Sequence, residues 1–338
     1  MPAYGLTRAR TMGPIAEAIT AAGGSVARVF GRAGIPLTLL DTPDRLILLR
    51  DQLRLVDAAM REIGDPALPA RLSMRTGITG LGPIGQQVQS AATLGAALAR
   101  VEIVTPLLLQ TATWTGLRRQ DRSAFYGYAV AERIDSGRQA NEILALGYLL
   151  GTVRHFLGPA WRPERAVVTG AHLAERPRIE ALLGCEIVLG ARAGLVFPAD
   201  HLEAGNPKRF DPTQAQAAED EPIGEDLVAC VTHLIELGLD GARPTIDGIA
   251  GRLGLTRRTL QRRLEETGRR YADLQRTVLI RRAKVLLSDE TLPIGRIGVE
   301  LGYADAAHFS RAFLHWTGTT PSDWRRRTHM QLRPLLTV

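Results

Sequence analysis

The sequence predicts an α+β domain followed by an all-α domain in which two helix–turn–helix units are joined by a long helix. Three observations lead to this prediction. A helical spacing of apolar residues occurs twice near the C-terminus, the excess positive charge lies in the same region, and the segments rich in strand-forming residues all precede residue 200. The predicted boundaries are residues 1–204 for the first domain, 205–221 for a polar linker, 222–330 for the second domain and 331–338 for a C-terminal tail.

The first domain is expected to mix helices with short antiparallel strands, which indicates α+β rather than a doubly wound parallel sheet. Residues 13–80 should form short helices, because their apolar residues keep a helical spacing that glycine and proline interrupt. The later elements are expected as helices over residues 86–91, 93–108, 139–156 and 178–183, and strands over residues 111–118, 123–132, 166–170, 186–189 and 194–197. The glycine-rich segment 80–85 lacks the Lys-Ser/Thr pair of a phosphate loop, so a turn is expected there.

The first helix–turn–helix unit is predicted in the segment that follows the linker and a leading helix. Apolar side chains recur there with the spacing of one helix face: Ile246, Ile249, Ala250 and Leu253. Gly254 then stands where the chain needs the left-handed conformation, and Thr256 is a candidate N-cap for the next helix. That helix is expected over residues 257–267, with Leu260 and Leu264 inward and basic side chains outward, as in a recognition helix.

The same pattern returns about 48 residues later, beginning at Ile294. Asp305 takes the N-cap position, and Phe309 and Phe313 take the two inward positions of the second copy. Such an internal repeat indicates two copies of one structural unit. Continuous apolar periodicity over residues 271–288 predicts one long helix between them.

Charge divides unevenly along the chain. Residues 241–338 carry 18 Lys and Arg against 9 Asp and Glu, whereas the first 240 residues carry 24 against 26. A basic module attached to a nearly neutral domain is typical of a protein that binds nucleic acid through one of its domains. The run Arg325 to Arg327 by itself could be no more than a solvated basic surface.

The segment from Ile294 to Phe313, followed by Gly318 to Arg325, closely resembles the C-terminal signature of the AraC/XylS family of bacterial transcription regulators. The resemblance covers about a third of the chain. It implies a sequence-specific DNA-binding regulator, expected to be an activator, with promoter DNA and RNA polymerase as partners. One residue departs from the pattern: Gly298 stands where the family usually has alanine, which should cost about 1 kcal/mol of local helix stability.

The order of residues from Val167 to Leu202 is similar to the end of the arabinose-binding-type N-terminal domain found in one branch of this family. This resemblance implies that residues 1–204 bind a small-molecule effector and offer a surface for homodimer formation. That branch includes regulators that respond to amino acids and other small metabolites. The domain's label does not identify arabinose as the ligand, so the effector of this chain stays open.

The resemblance also implies which side chains face DNA. The expected base-facing residues are Arg258, Gln261 and Arg262 in the first recognition helix and Ala306, Ala307, Ser310 and Arg311 in the second, while Thr256 and Arg257 are expected at phosphates. Arginine can bond guanine O6 and N7 together, whereas alanine offers only an apolar contact. The first unit is therefore expected to contribute more of the sequence discrimination, although a surface ion pair is the alternative for Arg257 and Arg262.

Three aromatic residues on the predicted hairpin, Trp114, Tyr126 and Tyr128, are candidates for the effector pocket. The alternative is that some of them are ordinary core, because aromatic residues at strand spacing usually are.

Other classes of function receive less support. A non-specific architectural DNA-binding protein is the main alternative, but the nearly neutral first domain argues against it. A self-alkylating DNA repair enzyme is a more remote one, since it needs clustered thiols and Cys185 and Cys230 lie far apart. The histidines lack metal-ligand spacing, so neither an enzyme, a metal nor a cofactor is expected. No apolar run approaches the ~20 residues of a membrane span, and the expected compartment is the cytoplasm, at the nucleoid when bound to DNA.

Overall fold

A computed structural model of the chain describes residues 4–132, 134, 136–208, 223, 226–239 and 243–332. The chain divides into two compact units, Met1–Glu225 and Asp226–Val338. They are called here the N-terminal unit and the C-terminal unit.

The N-terminal unit combines helices with two sheets, so the predicted α+β class is confirmed. Its elements in chain order are β1 (Leu6–Arg8), α1 (Ile15–Ala21), α2 (Val26–Ala33), β2 (Leu46–Leu48), α3 (Leu49–Ile63), α4 (Leu68–Thr76), α5 (Pro83–Gln89), α6 (Leu94–Val104), β3 (Thr113–Gln120), β4 (Ser123–Val130), α7 (Arg138–Leu157), β5 (Arg165–Val168), α8 (Arg176–Leu183), β6 (Ile187–Leu189) and β7 (Ala193–Pro198). The small antiparallel sheet of β1 and β2 was not expected from the sequence.

The larger sheet has five strands in the order β3-β4-β7-β5-β6. The hairpin of β3 and β4 is antiparallel, with Thr115 opposite Tyr128, and β7 and β5 continue the antiparallel pattern. One pair departs from the expectation of antiparallel strands: β5 and β6 run parallel, with Ala166 opposite Ile187. The reason is that α8 carries the chain back to the starting end of β5, as a parallel crossover requires.

Helix α7 lies against the sheet and buries most of its residues. The buried Glu142 carboxylate on this helix accepts hydrogen bonds from the Thr169 backbone N–H at 2.8 Å and from the Thr169 hydroxyl at 2.7 Å. These two donors offset the cost of burying the carboxylate. They also hold the chain just after β5 close to the start of α7.

Helix α6 begins as expected, because the Thr93 hydroxyl accepts a hydrogen bond from the Ala96 N–H at 3.2 Å. It ends earlier than residue 108, however, and the chain continues as a π-helical turn over Thr105–Leu109. Pro106 lies within this turn and has no N–H to continue an α-helical ladder.

The predicted linker lies mostly outside the described residues, at positions 209–222. Its first residues belong to the N-terminal unit: Gly205 forms a bridge with Thr93, and the Asn206 side chain donates to the carbonyls of Gln89 and Ala91 at 2.7 and 2.8 Å. Residues 333–338, most of the predicted tail, are also outside the described residues.

The described residues of the C-terminal unit form helices only. These are α9 (Leu227–Gly238), α10 (Ile246–Arg252), α11 (Arg257–Glu266), α12 (Tyr271–Leu287), α13 (Ile294–Glu300), α14 (Ala306–Thr317) and α15 (Pro321–Leu332). The pairs α10–α11 and α13–α14 are the two predicted helix–turn–helix units, and α12 is the predicted long helix between them.

Helix α12 packs directly against α9, α13, α14 and α15, while α9 in turn packs against α10 and α11. One face of α12 is buried at helical spacing by Leu274, Val278, Leu279, Ala283 and Leu287. At its start, Tyr271 Oη and Gln275 Nε2 both donate to the Pro244 carbonyl, at 2.8 and 2.6 Å. The entry to the first helix–turn–helix unit is therefore fixed by the helix that supports the second.

We expect Leu279→Ala, at a side chain only 1% exposed, to lower the free energy of unfolding of the C-terminal unit by about 2–5 kcal/mol, because the cavity left in the core cannot fully close. Val285→Ala is the control, since Val285 lies on the same helix with 59% of its surface exposed and should change stability by less than about 0.5 kcal/mol. Urea-dependent hydrogen exchange, followed on peptides of this unit, measures both. Equal effects of the two substitutions would contradict the packing described for α12.

Candidate nucleic-acid interface

The first candidate recognition helix is α11, and its rotation is set by its buried side chains. Leu260 and Leu264 are fully buried four residues apart, as the sequence predicted. The opposite face carries Arg258, Gln261 and Arg262, all of them exposed. The three residues predicted to face bases therefore share one accessible surface.

The turn before α11 follows the predicted pattern. Gly254 has φ +66°, a left-handed conformation in which glycine carries no steric cost. The Leu255 N–H then bonds the Ala250 carbonyl at 2.8 Å, and Thr256 Oγ1 accepts from the Thr259 N–H at 3.2 Å. Thr256, predicted to contact a phosphate, thus acts as the N-cap of α11 in the free protein.

Two of the predicted DNA-contacting arginines already have carboxylate partners. Arg262 pairs with Glu266 at 2.6 Å, and Arg257 pairs with Asp247 at 3.3 Å. The alternative weighed for both arginines, a surface ion pair, is therefore present. All four side chains are more than half exposed, and exposed pairs of this kind contribute only about 0–1 kcal/mol. Phosphate or guanine can compete with such weak partners.

Arg258 and Gln261 differ from these two arginines. Neither side chain makes a hydrogen bond or an ion pair with another residue in the part of the chain that the structure describes. Their polar groups are therefore available to a ligand at the outer face of α11.

The second candidate recognition helix, α14, repeats this construction. Phe309 and Phe313 are buried beneath it, and Asp305 caps it by accepting from the His308 N–H at 2.7 Å. That backbone bond lowers the pKa of the Asp305 carboxyl, so the cap is charged at neutral pH. Of the predicted base-facing residues, Ala306, Ala307 and Arg311 are exposed and Ser310 is half-buried.

Gly298 has a packing role that the sequence did not reveal. A Cβ added there would lie 3.1 Å from Phe309 Cβ, tighter than an ordinary contact. The glycine lets α13 approach α14 closely, and this offsets part of its expected cost in helix propensity.

Arg325 is also structural rather than merely solvated. Its guanidinium donates to the carbonyls of Leu287 and Leu292, at 3.2 and 2.7 Å, and so binds the end of α12 and the loop that follows. Arg326 and Arg327 are exposed, as expected for a basic surface.

Comparison with known proteins agrees with this arrangement. A model of the arabinose-binding N-terminal domain of AraC transcription regulators matches residues 23–206, more than half of the chain, and a helix-turn-helix domain model matches residues 249–327. The chain belongs to the AraC family of transcriptional regulators. It is thus a DNA-binding regulator, and its matching families and relatives are regulators rather than enzymes.

Two relatives match most of this chain and most of their own length. VirS of Mycobacterium tuberculosis is 28% identical over 310 residues, which cover 87% of this chain and 88% of VirS. The ornithine utilization regulator of Pseudomonas aeruginosa is 28% identical over 327 residues, covering 88% and 89%. Among solved structures, the regulator CdpR from Pseudomonas aeruginosa covers 77% of this chain and 87% of its own, with 23% identity and a TM-score of 0.38.

The N-terminal unit of this AraC-family protein contains a cavity of about 70 Å³. It lies between the inner face of the β3–β4 hairpin, the helices α5, α6 and α7, and the π-helical turn. Of the three aromatic residues predicted to line an effector pocket, Tyr128 does so. Tyr126 is core: it is 1% exposed, its hydroxyl donates to the Leu98 carbonyl at 3.0 Å, and it is not among the residues that line this cavity.

Trp114 lies on the opposite face of the sheet. Strand alternation puts Thr115 toward the cavity and Trp114 away from it, where the Arg192 guanidinium stacks 4.7 Å from the indole centroid. The ring crosses the paired residues Gly116 and Gly127, at which an added Cβ would come within 2.4 and 2.8 Å of it. Trp114 therefore does not belong to this cavity.

The sequence also raised a thiol site and a metal site, which concern the cysteines and the possible metal ligands. Cys185 and Cys230 are buried and form no disulfide within the described residues, and burial raises the pKa of the Cys185 thiol to about 11. Among the described residues, no three His, Cys, Asp or Glu side chains are grouped so that they could hold a metal ion. Within the same residues, none of the helices has both the length and the apolar character needed to cross a bilayer.

We expect Thr256→Ala to speed amide exchange in α11 about 5-fold, because losing an N-cap costs about 1 kcal/mol. Thr256→Ser keeps a hydroxyl for the Thr259 N–H and serves as the control, with exchange close to that of the parent protein. Hydrogen exchange of peptides from α11 and α14 measures the effect and its location. Unchanged exchange in the alanine variant would show that Thr256 does not hold the start of this helix.

Proposed function

We propose that this regulator binds an asymmetric promoter site by inserting α11 and α14 into successive major-groove faces, about 34 Å apart. The observation that carries the proposal is the shared construction of the two helices. Each is rotated by a buried pair of apolar residues and begins at a capped N-terminus, so each presents one polar face. Helix α12 supports α14 directly and α11 through α9, and this shared support gives the two faces a fixed relation.

The first unit carries more of the sequence discrimination in this proposal. Arg258, Gln261 and Arg262 supply hydrogen-bonding groups on the exposed face of α11. The equivalent face of α14 presents Ala306 and Ala307, which offer only methyl groups, for instance to a thymine methyl. Arg311 and Ser310 add polar contacts there, while Thr256 and Arg257 contact phosphates at the start of α11.

The Arg262 and Arg257 side chains separate base recognition from positioning. We expect Arg262→Ala to cost about 1–3 kcal/mol of binding free energy and to relax preference at one base pair. Arg257→Ala should weaken all sequences alike and reduce the salt slope of binding by about one unit. Titrations at several salt concentrations, on the promoter site and on scrambled DNA, measure both.

Glu266→Ala is the control for these substitutions, because it removes the partner of Arg262 and leaves the arginine in place. If Arg262 acts on DNA, this variant binds as well as the parent or better. Weaker binding of Glu266→Ala, or the same behaviour of the two arginine variants, would contradict the assignment.

We also propose that a small-molecule effector binds the N-terminal unit and controls the protein. The protein is further proposed to form a dimer and to activate transcription together with RNA polymerase in the cytoplasm. The cavity beside Tyr128 supports effector control, because it is a space inside a domain of the arabinose-binding type. The name of the ornithine-related relative points toward charged metabolites. None of the residues described as lining this cavity is charged, however, which argues against such an effector here.

The π-helical turn links the cavity to the last described residue of the N-terminal unit. Thr105 and Leu109 of this turn line the cavity, and the Leu107 carbonyl between them accepts from the Ile223 N–H at 2.7 Å. Ile223 is itself buried and stands three residues before Asp226, the N-cap of α9. A ligand that moves the turn would therefore disturb the hydrogen bond to Ile223, close to the end of the N-terminal unit.

We propose that residues 1–204 form the effector domain, 205–221 a linker, 222–330 the DNA-binding domain and 331–338 a tail. These boundaries predict that DNA binding and effector response can be separated at the linker. A fragment of residues 217–338 should retain specific DNA binding, because it contains both repeats and α9, which closes their core. It should lose the effector response and the affinity that a dimer adds through effective concentration.

Footprints of the fragment and the full chain on the promoter beside the protein's own gene, with and without a cell metabolite extract, measure this division. A folded fragment that protects no site would show that the N-terminal unit takes part in DNA recognition. A response to extract that the fragment retains would place the sensor in the C-terminal unit instead.

A further inference from the structure

Arg243 stands at the entrance to the first helix–turn–helix unit. It precedes Pro244, and Thr245 then caps α10 by accepting a hydrogen bond from the Gly248 N–H at 3.1 Å. Two side chains of α12 donate to the Pro244 carbonyl. The backbone beside Arg243 is therefore fixed both to the first unit and to α12, and the arginine side chain extends from this fixed position.

The Arg243 side chain reaches the turn of the second unit. Its guanidinium carbon lies 5.2 Å from the centroid of the Tyr303 ring, within the range of a cation–π contact. Its Nη2 also donates a long hydrogen bond, 3.4 Å, to Gln275 Oε1 on α12. Arg243 therefore joins the two units directly, whereas the packing of α9 against α12 connects them indirectly.

Gly302 brings the two backbones close together at this contact. A Cβ added to Gly302 would lie 2.8 Å from Arg243 Cβ and 3.4 Å from the Arg243 backbone nitrogen. Gly302 also has φ +74°, a left-handed conformation that favours glycine. Two separate constraints thus act on this position, and any side chain there would have to displace Arg243.

Tyr303 connects this contact to the second recognition helix. Its ring centroid lies 5.6 Å from that of Phe309 and 6.5 Å from that of Trp316, both of them on α14. Phe309 is also one of the two buried residues that set the rotation of α14. A change in the position of Tyr303 would therefore change the packing that holds α14.

We propose that Arg243 is a positioning residue, which sets the distance and angle between α11 and α14 through its contacts with Gly302 and Tyr303. It acts on the entry of the first unit and on the packing of α14, and this role needs no contact with DNA. The consequence for DNA recognition rests on the two-helix binding proposed above. Because Arg243 is exposed, a phosphate contact is the alternative that the test has to exclude.

The geometry is tested first without DNA, in the full chain. Spin labels at Glu265→Cys on α11 and His315→Cys on α14, both exposed positions, report the distance between the two helices. Protein without these two substitutions measures any label taken up by the buried Cys185 and Cys230. We expect one narrow distance distribution in the parent and a broader or displaced one after Arg243→Ala. An unchanged distribution in that variant overturns the proposal.

Arg243→Lys tests whether the cation over the ring is responsible. Lysine can keep a cation near the face of Tyr303, so this variant should retain most of the narrow distribution. A distribution as broad as that of Arg243→Ala would overturn the role of the cation–π contact.

DNA binding then separates positioning from phosphate contact. The probe is the site protected on the promoter beside the protein's own gene, in its native form and with one base pair inserted or removed between the half-sites. We expect Arg243→Ala to lower the preference for the native spacing about 2- to 5-fold, as for loss of one exposed cation–π contact, and to leave the salt slope unchanged. A salt slope reduced by about one unit, with the spacing preference of the parent, would assign Arg243 to a phosphate and overturn the proposal.

Arg276→Ala is the matched control. It removes the same charge from an exposed position of the same unit, but the partner of Arg276 is Asp273 on its own helix, at 2.7 Å. This variant should keep the helix distance and the spacing preference of the parent. Equal changes in Arg243→Ala and Arg276→Ala would overturn a specific role for Arg243.

The parent protein tests the two-helix proposal separately. Equal affinity of the parent for all three spacings would count against binding by two fixed helices, while a changed helix distance in Arg243→Ala would still uphold the positioning role. A parent that discriminates between spacings, with the same discrimination and the same helix distance in Arg243→Ala, upholds two-helix binding and overturns the role of Arg243.

Discussion

Burial of one face of α12 is the constraint on which the C-terminal unit depends. Its apolar residues, from Leu274 to Leu287, lie in the core that also receives α9, α13, α14 and α15. Polar contacts then fix both ends: Tyr271 and Gln275 hold the Pro244 carbonyl, and Arg325 binds the Leu287 carbonyl. A rigid connector matters because two helices can match successive grooves of DNA only if their separation does not vary.

In the candidate DNA-binding surface, buried side chains fix the helix firmly, whereas the outward arginines have only weakly bound carboxylate partners. Leu260 and Leu264 fix the rotation of α11, whereas the ion pairs of Arg257 and Arg262 are exposed and contribute little. These pairs compete only weakly with phosphate or guanine for the two guanidinium groups. In the second unit, Gly298 contributes to the packing beneath the recognition helix, because it allows α13 to approach α14 closely at Phe309.

In the N-terminal unit, the alternation of side chains along β3 and β4 decides what each aromatic residue does. Tyr126 and Tyr128 share the inner face, yet only Tyr128 reaches the cavity, because Tyr126 bonds the α6 backbone through Leu98. Trp114 points to the other face and lies over a glycine pair. The sequence alone did not distinguish these three aromatic residues, yet each has different surroundings in the structure.

The sequence by itself determined the α+β and all-α classes, both helix–turn–helix units, their caps at Thr256 and Asp305, and the outward faces of α11 and α14. These features depend on interactions within a few residues, so spacing and cap chemistry predict them. Only the tertiary structure decided the parallel pairing of β5 with β6, the partners of Arg262 and Arg325, and the cavity beside Tyr128. Strand order and the walls of a cavity depend on contacts between residues distant in the chain. The local spacing of apolar residues does not predict such contacts.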